Sequence, residues 1–131
     1  MRILFADKYP ESAIDELKQK GQDCVLQPDL KADELDSVVA GYDVLVVRST
    51  QVTKKAIEAG NLLKMIIRAG AGTNTIDKDA AAARGIYVCN VPGRNAAAVA
   101  ELVIGLLIAI DRNIPDNVLA LRQGNWNKKR F

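Results

Sequence analysis

Four short stretches hold the residue types that could do chemistry: Asp7-Lys8, Arg48-Ser49-Thr50, the glycine turn Arg68-Ala-Gly-Ala-Gly-Thr-Asn-Thr-Ile-Asp77, and the asparagine turn Asn90-Val-Pro-Gly-Arg-Asn95. Between them they offer a guanidinium, hydroxyls, amides and backbone donors, an inventory suited to holding an oxyanion such as a carboxylate or a phosphate. Arg48 can grip a carboxylate with two parallel hydrogen bonds. The N–H groups of Gly70-Ala71-Gly72 can converge on the same anion, because glycine permits positive φ and close approach. Each feature also has a purely structural reading: Gly70-Ala-Gly72 as a tight strand-to-helix turn, Arg48 as a surface ion-pair partner. Their joint placement favours function. The chain contains no histidine and marks no pair of carboxylates as convergent, so no catalytic residue is expected within it.

These stretches have to be positioned by regular elements. Short apolar runs at Ile3 to Ala6, Cys24 to Leu26, Val44 to Val47, Met65 to Ile67 and Ile86 to Cys89 predict five strands. Helical segments are expected between them, at Glu11 to Lys20, Ala32 to Ala40, Thr53 to Ala59 and Asp77 to Arg84. Thr53 and Asp77 serve as N-caps, and glycine stands at or just beyond most of the helix ends. Such alternation implies an α/β fold with an open parallel sheet of about five strands and helices on both faces. In such a sheet ligands bind beyond the carboxyl ends of the strands, which is where all four stretches fall.

After the fifth strand Asn95 is expected to cap a helix of about 16 residues, apolar nearly all the way round from Val99 to Ile110. A helix packed on one sheet face alone would not need that surface, so a second packing partner is implied. The segment Ala96 to Ile110 falls short of the roughly 20 apolar residues that cross a bilayer. Pro115 then opens another helix that runs to about Gln123, with Gly124 ending it. Trp126 and Phe131 follow with little chain left to cover them.

Composition removes other function classes. The 131 residues are 49% apolar, enough for one sizeable core, and 18 Lys+Arg against 16 Asp+Glu leave a net charge of +2. That is not the footprint of a nucleic-acid binder, and the terminal run Lys128-Lys-Arg130 reads as a solvated tail. Cys24 and Cys89 lie far apart within apolar runs, with no zinc-type spacing, so buried reduced thiols and no metal site are expected. Met1 to Ala6 is too short an apolar run for a signal peptide, which leaves a cytosolic location as the default.

Two motif readings are poor. In Gly70-x-Gly72-x-x-Thr75 the third position is Thr, and the next strand ends in Cys89-Asn90 with no acidic residue for a ribose hydroxyl, so it is not the dinucleotide fingerprint. A phosphoacceptor domain of response-regulator type would want an aspartate at the end of the third strand, where this chain has Arg48.

Taken in order, Val47-Arg-Ser-Thr50, Arg68 to Asp77, Ala82 to Ile86, Asn90-Val-Pro92 and Asn95 leading into Ala100-Glu-Leu102 resemble the N-terminal part of D-2-hydroxyacid dehydrogenases over nearly the whole chain. The resemblance implies a flavodoxin-like substrate-binding domain over residues 1–94. Residues 95–131 would hold an interdomain helix and the start of a nucleotide-binding domain. It implies NAD as cofactor and a small anionic 2-hydroxy acid as substrate. The expected reaction takes 3-phosphoglycerate to 3-phosphohydroxypyruvate at the head of serine synthesis. By the same resemblance Arg48 with Ser49, and the backbone at Ala69 and Gly70, would hold the substrate's carboxylate or phosphate. Asn95 would contact substrate from the hinge, Ala71 would approach the nicotinamide, and the helix from Asn95 would form a homodimer interface.

Two departures qualify the pattern. Gln51 stands where relatives acting on phosphoglycerate often carry a basic residue. The chain also stops where the dinucleotide fingerprint should begin, and the family's catalytic Arg, Glu and His would lie beyond it, so the fragment alone is expected to be inactive. The alternative reading is a flavodoxin-like anion-binding or assembly module that performs no chemistry.

Overall fold

The computed structural model describes residues 1–128; Lys129 and Arg130 of the basic run, and the aromatic Phe131, lie outside the described residues. The chain divides into two units, Met1–Pro92 and Gly93 onward, and each is described by itself.

The first unit alternates strand and helix: β1 (Arg2–Phe5), α1 (Glu11–Gln19), β2 (Asp23–Leu26), α2 (Leu35–Val38), β3 (Val44–Val47), α3 (Lys54–Ala59), β4 (Met65–Arg68), α4 (Lys78–Ala83) and β5 (Tyr87–Asn90). All neighbouring strands pair in parallel in the order β2-β1-β3-β4-β5. Register aligns Phe5 with Leu26 and with Val46, Val47 with Arg68, and Arg68 with Asn90. The carboxyl ends of β3, β4 and β5 therefore lie level, and the polar stretches that follow them share one edge.

Successive side chains of a strand point to opposite faces, and the core divides accordingly. Leu4, Leu45, Val47 and Ile66 pack with Leu35 and Val39 of the α2 segment, Ala56 and Ile57 of α3, and Ala81 of α4. Ile3, Phe5, Cys24, Val44 and Val46 pack with Ile14 and Leu17 of α1 on the other face. Burial on both sides is why Val44 to Val47 is apolar without interruption. Thr53 and Asp77 cap as their positions predict: the Thr53 hydroxyl accepts the Ala56 N–H at 3.4 Å and the Asp77 carboxylate the Ala80 N–H at 3.0 Å.

Two expectations change. The helix expected over Ala32 to Ala40 shrinks to Leu35–Val38. The polar residues before it bond locally, with the Glu34 carboxylate accepting the Lys31 N–H at 3.0 Å and the Ser37 hydroxyl donating to the Glu34 carbonyl at 2.7 Å. Gly41, at φ 82°, then turns the chain toward β3. Cys24 is buried as expected, whereas Cys89 is only half-buried. Cys89 pairs with Ile67 on edge strand β5, and its neighbour on the same face, Tyr87, is 72% exposed.

The second unit holds α5 (Ala96–Asp111) and α6 (Ile114–Arg122). Asn113 makes the corner between them in the left-handed region, Pro115 sits in the first turn of α6, and Gly124 follows it at φ 78°. The expected length of α5 is met, but not the expected side-chain cap. Asn95 takes φ −103°, ψ 7° and makes no side-chain cap bond; its carbonyl alone accepts the Val99 N–H at 3.0 Å. No residue of α5 is buried, and Leu102, Ile104 and Leu107 are all more than half exposed. Among the described residues no helix is long and apolar enough to cross a membrane.

Candidate functional site

Strand β1 ends two residues before Asp7, and strand β3 ends one residue before Arg48. Their loops meet: one oxygen of the Asp7 carboxylate accepts three consecutive backbone N–H groups, those of Arg48 at 2.6 Å, Ser49 at 3.1 Å and Thr50 at 3.2 Å. The Thr50 hydroxyl returns a bond to the Ala6 carbonyl at 3.0 Å. The resulting cleft is lined by Asp7, Lys8, Pro28, Arg48 and Ser49.

Arg48 and Ser49 are exposed. Among the described residues the Arg48 guanidinium enters no ion pair, so the surface-pair reading finds no partner. Among the described residues Lys8 pairs only with the solvated Asp29 carboxylate at 3.9 Å, a contact worth little in water. Two cations thus face the cleft. Beside it Tyr9 stacks edge-on against Phe5, with ring centroids 5.2 Å apart, and its hydroxyl is enclosed without a bonding partner among the described residues. Burial, reinforced by the Asp7 charge and opposed by Arg48, pushes this hydroxyl up to about 12, so it stays neutral at physiological pH.

The glycine turn is wired to the same edge by Arg68. Its Nε donates to the Arg48 carbonyl at 3.2 Å and its Nη1 to the Gly72 carbonyl at 2.6 Å. Asn90 Nδ2 donates to the Ala71 carbonyl at 2.6 Å, and the Val91 N–H to the Gly70 carbonyl at 3.0 Å. An isolated parallel bridge between Val52 and Ile76 ties the far sides of both loops.

Neither Gly70 nor Gly72 has positive φ, contrary to the reason the sequence offers for them. A Cβ at Gly72 would lie 2.9 Å from Arg68 Nη1 and 3.1 Å from the Asn74 side-chain oxygen, so the tips of those two side chains would have to shift to admit it. The Ala69 N–H donates to the Val47 carbonyl and the Gly70 N–H to the Arg68 carbonyl, both at 2.8 Å.

Of the residues singled out from sequence, the structure gathers Arg48 and Ser49 in one cleft and ties the glycine turn to it at Gly72 through Arg68, while Gly70 and Ala71 are held by Val91 and Asn90 at the end of β5. Asn95 belongs to the second unit. Sequence reading missed the roles of Arg68 and Asn90. The available signal was position, since each closes a strand, with its side chain free to cross to the neighbouring loop.

A dinucleotide cradle does not fit the glycine turn. The space beneath Gly72 is filled by Arg68, and the turn reaches α4 only at Lys78, after Asp77 has already capped that helix. The residues described here therefore do not supply the pyrophosphate site of a nicotinamide cofactor.

The profile of the family described as D-isomer specific 2-hydroxyacid dehydrogenase, catalytic domain, matches residues 3–126. The chain is 42% identical to the D-3-phosphoglycerate dehydrogenase of Methanocaldococcus jannaschii, covering 100% of this chain and 25% of that protein. It is 43% identical to the hydroxypyruvate reductase of Thermotoga maritima, over 98% of this chain and 42% of that one. The NAD+-bound 3-phosphoglycerate dehydrogenase of Entamoeba histolytica superposes with a TM-score of 0.73 at 33% identity, over 83% of this chain and 38% of that chain. The chain thus spans between about a quarter and two fifths of the length of these relatives.

Proposed function

The chain belongs to the D-isomer specific 2-hydroxyacid dehydrogenase family, and from that premise we propose that it is the substrate-binding part of an NAD-dependent oxidoreductase acting on 3-phosphoglycerate in serine synthesis. The observation that carries this reading is the cleft at the β1/β3 carboxyl edge, where Arg48 and Lys8 stand exposed beside Ser49. A guanidinium can hold a carboxylate through two parallel bonds, and an ammonium can neutralise a second negative group as a point charge. Lys8 thereby offers a positive charge for a phosphorylated acid where Gln51 does not. The backbone at Ala69 and Gly70 borders the same anion, Ala71 approaches the nicotinamide, and Asn95 contacts substrate from the hinge.

With no histidine among its residues, this chain holds and orients substrate but does not move the proton that accompanies hydride transfer. It is therefore inactive by itself, in keeping with a cytosolic enzyme whose remaining residues carry the cofactor. Residues 1–94 form the substrate domain. The exposed apolar surface of α5 serves a homodimer, which light scattering across a concentration series would reveal as a doubling of mass.

The direct test is titration of the chain with 3-phosphoglycerate and separately with D-lactate, following the amide signals of Arg48, Gly70 and Asn95. Shifts at all three with the phosphorylated acid, and weaker ones with lactate, are expected. Equal responses to both acids would remove the phosphate preference. Silence with both would favour the non-catalytic assembly module.

A further inference from the structure

Three consecutive backbone N–H groups pointing at one spot make a concave anion site. In this chain the Arg48-Ser49-Thr50 turn forms such a site directly beside the cleft, and its occupant is internal: Asp7 Oδ2, at 2.6, 3.1 and 3.2 Å from the three nitrogens. An external carboxylate or phosphate cannot use those donors while Asp7 holds them. The turn consequently presents only the Arg48 and Ser49 side chains to a ligand.

We propose that Asp7 is a positioning residue, whose carboxylate fills the backbone nest of residues 48–50 and thereby fixes the point from which the Arg48 guanidinium reaches substrate. Asp7 lies on the loop after β1 and Arg48 on the loop after β3, 41 residues apart, so the bond is not a local turn preference. Strand pairing brings the loops together, with Phe5 opposite Val46 and the Ala6 N–H donating to the Val46 carbonyl at 3.0 Å. The Thr50 hydroxyl closes the arrangement on the Ala6 carbonyl. From the opposite side Arg68 Nε holds the Arg48 carbonyl. The peptide groups on both sides of the Arg48 Cα are therefore anchored, its N–H by Asp7 and its carbonyl by Arg68, while its side chain remains exposed. Bonds to an ionised acceptor are shorter and stronger than neutral ones, so the charge of Asp7 matters as well as its shape.

The part of this inference that concerns substrate rests on the substrate-binding reading of the cleft; the part that concerns the nest does not. The experiment separates them by using the full 131-residue chain, its Asp7→Asn variant, which keeps the shape without the charge, and its Asp7→Ala variant, which empties the nest. Amide hydrogen exchange is measured first without any acid. At Arg48, Ser49 and Thr50 it should be about tenfold faster in Asp7→Asn and faster still in Asp7→Ala, with the amides of β2 and α4 unchanged as the control for folding. Sodium formate should restore protection at those three amides in Asp7→Ala, and sodium chloride at equal ionic strength should not. Unchanged exchange in both variants, or no difference between formate and chloride, overturns the proposal.

Titration with 3-phosphoglycerate follows. If the parent chain binds, Asp7→Asn should bind about tenfold more weakly, and equal affinity overturns the positioning role. If the parent chain does not respond at all, the substrate reading fails, and the exchange and formate results alone decide the proposal. Should Asp7→Ala prove unfolded, Asp7→Asn carries the exchange test by itself.

Discussion

The two units of this chain use apolar residues in opposite ways. In Met1–Pro92 leucines and isoleucines such as Leu4, Leu45, Ile57 and Ile66 are wholly enclosed between sheet and helices. In the unit from Gly93 onward α5 is apolar at all but Glu101, Gly105 and Asp111, yet none of its residues is buried. Burial of a leucine side chain is worth roughly 1.5–3 kcal/mol, so the first unit draws its stability from its own sequence. The apolar side chains of α5 are instead exposed, the kind of surface on which the proposed homodimer would draw.

The sharpest way to break this contrast is a pair of truncations. Leu45→Ala should cost about 2–5 kcal/mol in urea unfolding, because it opens a cavity in a closed core. Leu106→Ala, on a residue 52% exposed, should cost less than about 0.5 kcal/mol at low protein concentration. A comparable loss for Leu106→Ala that grows with concentration would show α5 covered by a second copy.

A smaller effect sharpens the comparison at the helix starts. Asp77→Ala removes a side-chain cap bond in the first unit and should cost about 1 kcal/mol. Asn95→Ala removes none, and the helicity of α5 by circular dichroism should change little. An equal loss at both positions would mean that Asn95 caps after all.

The smallest effect is confined to high pH. The Tyr9 hydroxyl titrates near 12 in the folded chain against about 10 when unfolded. Its ionisation leaves stability untouched below pH 10 and lowers it as the pH rises toward 12, because the unfolded state releases the proton first. Tyr9→Phe should remove this part of the alkaline fall in melting temperature. Near pH 7 it should stabilise by up to about 1 kcal/mol, since the enclosed hydroxyl has no partner. An identical alkaline slope in the two proteins would assign the fall to other groups.

The order of the elements was legible because each strand is a compact apolar run and each connection carries turn or cap residues. The parallel α/β fold, and the family to which the motifs point, are both borne out. What misled were local rules overridden at a distance or by neighbours. Ala32 to Glu34 have helical propensity, but Glu34 and Ser37 bond within their own turn. Cys89 sits in an apolar run, yet coverage of an edge strand depends on which helices reach it. Gly72 looks like a φ requirement, yet its φ is not positive, and what lies against it is the tip of the Arg68 side chain. Arg48 could be picked out because it directly follows a strand. The Asp7 contact could not be, because nothing in the sequence says which loop a carboxylate 41 residues away will meet.

Strand order β2-β1-β3-β4-β5 also bears on how such a sheet is made at the ribosome. Once β1 and β2 have emerged and paired, β3, β4 and β5 each add to the same open side in the order of synthesis, so no later strand has to be inserted between two already joined. At about 5–20 residues per second, the advancing rim would expose the backbone of one unpaired strand for seconds before its neighbour arrives. β5, with the exposed ring of Tyr87, is the rim left when that growth stops.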